Sequence, residues 1–307
     1  MTKTSPRAAM PAPATPAPVA PLKAAAWMSG AILSFSSMAI AGRELSSGLD
    51  TFEIMLYRSL IGIVIVVTVA TAMGKLGEIH FRRLQLHTIR NLAHFTGQNL
   101  WFFAVTVIPL AQVFALEFTS PIWVVLLSPL ILGERLTPMR LLAALIGFTG
   151  ILIVARPSPD SLNIGIVTAA ISAICFALTN LFTKKLTRTE TITSILFFLT
   201  VIQAVFGVIF AGYDGDIALP ELAALPFVVV VGLGGLLAHF CITKALSLAP
   251  ATVVMPVDFV RLPVIAVVGM LLYAEPLDAF VFLGAVVIFA GNYLNIWTET
   301  KAARKPA

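Results

Sequence analysis

The sequence is short of charge. Only 11% of its residues are Asp, Glu, Lys or Arg, while 59% are hydrophobic and the mean hydropathy is +0.97. A soluble domain carries about 25% charged residues, so a soluble globule of this length could not cover its surface. Cysteine is nearly absent. Cys175 and Cys241 both lie in apolar stretches, which argues against a disulfide framework. No Cys/His cluster has ligand spacing, so no metal site is expected either. Also missing are a Walker A motif, H-E-x-x-H and G-x-S-x-G. ATP hydrolysis on this chain and the familiar hydrolase chemistries are therefore excluded, and no cofactor is implied. The net charge is +5, but the basic residues are scattered over loops rather than gathered on one face. Nucleic acid is thus not an expected partner.

Long apolar runs are abundant. Stretches of about 20 residues, the length needed to cross ~30 Å of hydrocarbon, recur at 24–42, 53–73, 91–108, 111–131, 138–155, 164–183, 193–212, 225–247, 252–272 and 277–297. Lipid is the expected surroundings. The third is the most polar and is expected to face the interior of a bundle. The Pro/Ala-rich residues 1–23 and residues 298–307 read as cytoplasmic tails. With both ends inside, 16 Lys and Arg fall on the cytoplasmic side and two, Arg43 and Arg156, outside. That bias supports an N-in/C-in protein.

Shifted by 141 residues, the chain aligns with itself. Phe35 meets Phe176, Pro109 meets Pro250, Glu117 meets Asp258, Glu134 meets Glu275 and Gly150 meets Gly291. Each half holds five spans, an odd number, so the second half enters the membrane from the opposite side. The fold class is all-α integral membrane, with halves at 24–156 and 163–297. Inverted repeats suit alternating access around a site near the midplane.

The stretch "IPLAQVFALEFTSPIWVVLLSPLILGERLTPMRLLAALIGFTGILIV" (108–154), with its weaker partner "APATVVMPVDFVRLPVIAVVGMLLYAEPLDAFVFLGAVVIFAGNYL" (249–294), resembles the EamA family of the drug/metabolite transporter superfamily. "GERLT" in the first half becomes "AEPLD" in the second, which weakens any role for Glu275 beyond structure. "RNLAHFTGQNLWFFAVTVIPLAQVFALEFTSPIW" (90–123) is similar to a bacterial subgroup with members assigned riboflavin uptake. Similar chains are S-adenosylmethionine importers, and others export amino acids or metabolites. The resemblance implies a secondary transporter of a small organic molecule in the bacterial inner membrane, and carboxylates within its spans make protons candidate coupling ions.

The residues themselves point to a site. An ionised side chain at bilayer depth costs about 2.5–3.5 kcal/mol on insertion scales and marks a functional site by default. Glu117 is the first such candidate and is suited to carrying a proton; the alternative is an interhelical bond or a pair with Arg58. Asp258 has Arg261 three residues on. The two either neutralise each other or offer Arg261 to an anionic substrate group. Arg58 either snorkels to the interface or belongs to the site. His94, Gln98 and Trp101 share one helix face; with Asn99 and Trp123 they could hold a flat heterocycle by hydrogen bonds and stacking. The tryptophans could equally be anchors. His239 and Asn180 are either ligands or interhelical hydrogen bonders. Pro121 and Pro256 are hinge candidates, and Gly147 and Gly150 fit close helix packing. Glu134 and Glu275 are expected to cap a helix or pair with an arginine.

"GYDGD" (212–216) faintly resembles an intramembrane aspartyl protease, but both aspartates fall in a polar loop. A channel or receptor is not excluded by sequence.

Overall fold

In a computed structural model the chain is described over residues 21–133, 136–156, 163–248, 257–258 and 260–303. Residues 1–20 of the expected tail, Glu134, Pro250 and Pro256 lie outside the described residues. The helices are α1 (Pro21–Leu45), α2 (Thr51–Ala72), α3 (Leu84–Val107), α4 (Leu110–Glu117), α5 (Ser120–Leu132), α6 (Pro138–Ala155), α7 (Ile164–Leu186), α8 (Ile192–Ala211), α9 (Leu225–Leu248), α10 (Arg261–Tyr273) and α11 (Ala279–Ala303). Among the described residues, eight helical stretches are long and apolar enough to cross a membrane.

Local chemistry sets several boundaries. Asp50 and Glu53 form a reciprocal capping box at the start of α2, satisfying backbone donors that a helix start leaves orphaned. Thr137 caps α6 ahead of Pro138, and Thr191 caps α8. Helix α11 runs six residues beyond the expected span end, to Ala303.

The repeat is visible in the bounds. Adding 141 to those of α3 gives 225–248, the bounds of α9, and adding it to those of α5 gives 261–273, the bounds of α10. Packing obeys the same exchange. Helix α1 lies on α9 as α3 lies on α7, while α2 pairs with α8 and α6 with α11. The α6–α11 seam is closed by glycine. A Cβ on Gly150 would stand 2.7 Å from the Gly284 carbonyl oxygen, and one on Gly291 would stand 2.7 Å from that of Ala143. The two contacts are repeat-related.

Polarity is inside out. Leu130 and its repeat counterpart Leu271 are 82% and 71% exposed, as lipid-facing residues are. On α3, by contrast, His87, Arg90, Asn91, His94, Gln98 and Asn99 are buried. The polar character of this span reflects its central place.

Glu117 ends α4, and Thr119 separates it from α5, where Pro121 sits in the first turn. Proline lacks the N–H that would continue the ladder, so the apolar stretch 110–132 is two helices, not one. Pro121 stands at that break.

One end of the bundle is tied shut. Arg43 of α1 pairs with Glu275 just after α10, and it donates to the carbonyls of Val105 and Ile108, the latter at 3.0 Å. Glu275 also accepts from the backbone N–H of Leu110 at 2.9 Å. The Arg43 guanidinium lies 4.5 Å from the Tyr273 ring centre, and the Tyr273 hydroxyl donates to Glu44 at 2.8 Å. Arg156 and Asp278 form a second pair. Glu275 therefore does pair with an arginine, one contributed by the other half. A Cβ on Gly269 would fall 2.2 Å from the Glu275 carboxylate, so glycine there makes room for it to fold back.

Candidate functional site

A cavity of about 370 Å³ lies between the halves. Helix α3 supplies Arg90, His94, Gln98 and Trp101, and α4 ends in it with Glu117. Ser120 of α5, Thr179 and Asn180 of α7, His239 of α9, Asp258 and Arg261 complete the polar lining. Phe35, Phe118 and Phe176 give it aromatic walls. A second cavity of about 290 Å³ shares Pro121 and Asn180 with the first and reaches Arg140 and Lys184. These lie at the end of the bundle away from the Arg43–Glu275 tie.

Arg261 is the centre of the charged cluster. It reaches Glu117 at 3.3 Å and Asp258 at 3.2 Å. Its guanidinium sits 4.8 to 4.9 Å from the ring centres of Phe35, Phe114 and Phe118. A guanidinium suits this place because it can bond carboxylates in its plane while its faces meet aromatic rings. At 3% exposure it holds the two repeat-related carboxylates rather than projecting into open space. Trp101 adds an N–H bond to the other oxygen of Glu117 at 2.8 Å. Glu117 thus has both oxygens engaged, one by each half of the protein.

Arg58 turns to Gln98, donating to its Oε1, rather than to Glu117. It lies behind the lining, in room left by Gly235, where a Cβ would come within 2.7 Å of the guanidinium. Asn99 and Trp123 stand away from the cavity. Asn99 donates to the Phe95 carbonyl at 2.8 Å, and Trp123 packs edge-on against Phe148 with ring centres 5.0 Å apart. His239 meets Phe35 edge-on at 5.7 Å.

Arg90 lies one residue before the expected third span, 91–108, and so falls among the 16 cytoplasmic Lys and Arg. The structure corrects this: it is 7% exposed, inside the bundle, donating to Thr183 at 3.1 Å and Asn91 at 2.9 Å. The signal was present, since positions 90, 94 and 98 follow a four-residue spacing that extends the polar face by one turn. Phe35 and Phe176 stood out only as a repeat-related pair.

The family model for the EamA-like transporters matches residues 22–156 and 163–297. The chain belongs to the EamA-like transporter family. It is a multi-pass bacterial inner-membrane transporter built on two repeats. A riboflavin transporter of Rhizobium johnstonii is 32% identical over 225 residues, covering 72% of this chain and 73% of that protein. An S-adenosylmethionine uptake transporter of Rickettsia bellii is 25% identical over 279 residues, covering 91% and 95%. A protein of known crystal structure superposes with a TM-score of 0.62 at 19% identity, covering 94% of this chain and all of that one. At that identity the likeness concerns the fold alone.

Proposed function

We propose that this EamA-like transporter imports riboflavin by alternating access, with the N- and C-termini in the cytoplasm and the cavity between the halves as its site. The observation that carries the cargo is the balance of the lining. Aromatic walls meet a cavity whose two carboxylates are already held by Arg261, while Arg90 and Arg58 have no carboxylate partner among the described residues. A flat, neutral ring system rich in oxygen acceptors suits such a place. S-adenosylmethionine, with a sulfonium and an ammonium against one carboxylate, would bring net positive charge toward two uncompensated guanidinium groups. The 32% identity to a riboflavin transporter supports the same choice.

In this reading, the Arg43–Glu275 tie closes one end while the neighbouring cavity leads toward the other. The reverse state requires the tie to part. The activity is movement of cargo without chemical change, so no residue is assigned to bond-making.

Uptake of labelled riboflavin by a flavin-auxotrophic bacterium expressing this chain, against empty vector, tests the reading. Saturable uptake competed by unlabelled flavin is the expected result. Absence of uptake with the protein confirmed in the membrane would exclude this cargo.

A further inference from the structure

The orientation of one amide carries the argument. An arginine has only donors, so the Gln98 amide must present its oxygen to Arg58, as it does. The Gln98 nitrogen has no partner among the described residues, and Gln98 lines the cavity. Arg58 therefore acts at second hand, fixing the amide with N–H groups toward the space. Two turns earlier, Arg90 spends Nε on Thr183 and Nη1 on Asn91, and its Nη2 has no partner among the described residues. Residues 90 and 98 are eight apart on one helix, two turns, and project on the same side. This end of the cavity offers donors from both side chains. The other end, where Glu117 and Asp258 sit, is the acceptor end, already occupied by Arg261.

We infer that Arg90 and Gln98, on either side of His94, supply a pair of donors that recognises two oxygen acceptors on the cargo and rejects the matching amino-substituted ring. The subsite deepens the riboflavin reading, because the pyrimidinedione edge of a flavin carries two such carbonyls. Its chemistry does not require a flavin: any ring with two carbonyls flanking a nitrogen fits the same donors. Discrimination comes from the penalty of leaving buried polar groups unmatched, which exceeds the gain from a matched pair. Arg58 is a positioning residue in this scheme, and Arg90 and Gln98 are the groups that touch cargo.

The test uses the purified full chain in lipid nanodiscs. Thermal-shift titrations are made with riboflavin, pteridine-2,4-dione and 2,4-diaminopteridine. The last two share a ring and differ in acceptors against donors at the edge. The dione is expected to bind at least tenfold more tightly than the diamine. Gln98→Glu keeps an oxygen for Arg58 and turns the cavity-facing group from donor to acceptor, so it should remove or reverse that preference. Equal binding of the two rings by the unaltered chain overturns the subsite, and so does a folded Gln98→Glu variant with unchanged preference. If Gln98→Glu does not fold, the comparison of rings on the unaltered chain decides alone. Riboflavin separates the two readings. A chain that prefers the dione but does not bind riboflavin keeps the subsite and loses the cargo. A chain that binds riboflavin without preferring the dione keeps the cargo and loses the subsite. Binding of none of the three overturns both.

Discussion

At the scale of single residues, the strongest constraint is on Arg261. It pairs with two carboxylates and fills the space between three phenyl rings. Removing one partner of a buried ion pair costs roughly 3–5 kcal/mol, because the charge left behind is uncompensated. Arg261→Met is therefore expected to lower the melting temperature sharply. Adding Glu117→Gln and Asp258→Asn to it should recover much of the loss, as the thermal unfolding of the purified variants would reveal. Glu117→Gln alone tests a different property. The amide can still accept from Trp101, but it cannot exchange a proton. If Glu117 carries the coupling proton, uptake by this variant loses its dependence on external pH at equal protein in the membrane. Unchanged pH dependence would remove that role.

How much of this was legible depends on the type of residue. Buried carboxylates announce themselves in an apolar run, so Glu117 and Asp258 were found from their surroundings alone. Arg90 was missed because it lies at the edge of its span, where an arginine ordinarily marks the cytoplasmic boundary. Only its register with His94 and Gln98 distinguishes it. Asn99 and Trp123 were included for their polarity, yet each satisfies or packs against its own neighbourhood. Sequence shows which side chains are chemically capable, and helix rotation decides which of them face the cavity.

At the scale of elements, the α6–α11 seam makes a sharp prediction. A side chain at Gly150 would press on the Gly284 carbonyl and on the Ile288 amide nitrogen, 2.7 and 2.9 Å from its Cβ. Backbone cannot retreat as a flexible side chain can. Overpacking of this kind costs about 1–3 kcal/mol, so Gly150→Val should reduce both melting temperature and the amount of protein in the membrane. Gly48→Ala, with no atom within 4 Å of its Cβ, is the matching control and should leave both unchanged. The sequence pointed to this seam because Gly150 and Gly291 align across the repeat. The break between α4 and α5 was likewise signalled by Pro121. The Arg43–Glu275 tie was not foreseeable as a pair, since the partners are 232 positions apart and nothing in either local stretch names the other.

At the scale of the whole molecule, that tie is expected to govern which end of the cavity is open. Glu275→Gln removes the charge facing Arg43 while keeping an acceptor for the Leu110 amide. The share of molecules open at that end should rise. A cysteine replacing Met38 on the cavity wall, in a chain whose Cys175 and Cys241 are changed to alanine, gives the readout. A membrane-impermeant thiol reagent added outside the cell should label it faster in the Glu275→Gln background. Labelling that is no faster would mean the tie does not limit opening, or that this end faces the cytoplasm.

The single guanidinium between Glu117 and Asp258 has a consequence for ancestry. Position 261 corresponds to position 120 under the repeat, and position 120 is a serine. Two identical subunits related by a twofold axis must place matching residues at both positions. They could bring two arginines to two acids, or none, but never one shared between them. An odd charge at the centre is open only to halves that are free to diverge. Divergence of the two halves therefore does more than vary two copies. It releases the cavity from symmetry, so that a cargo with unlike ends can be held in one orientation.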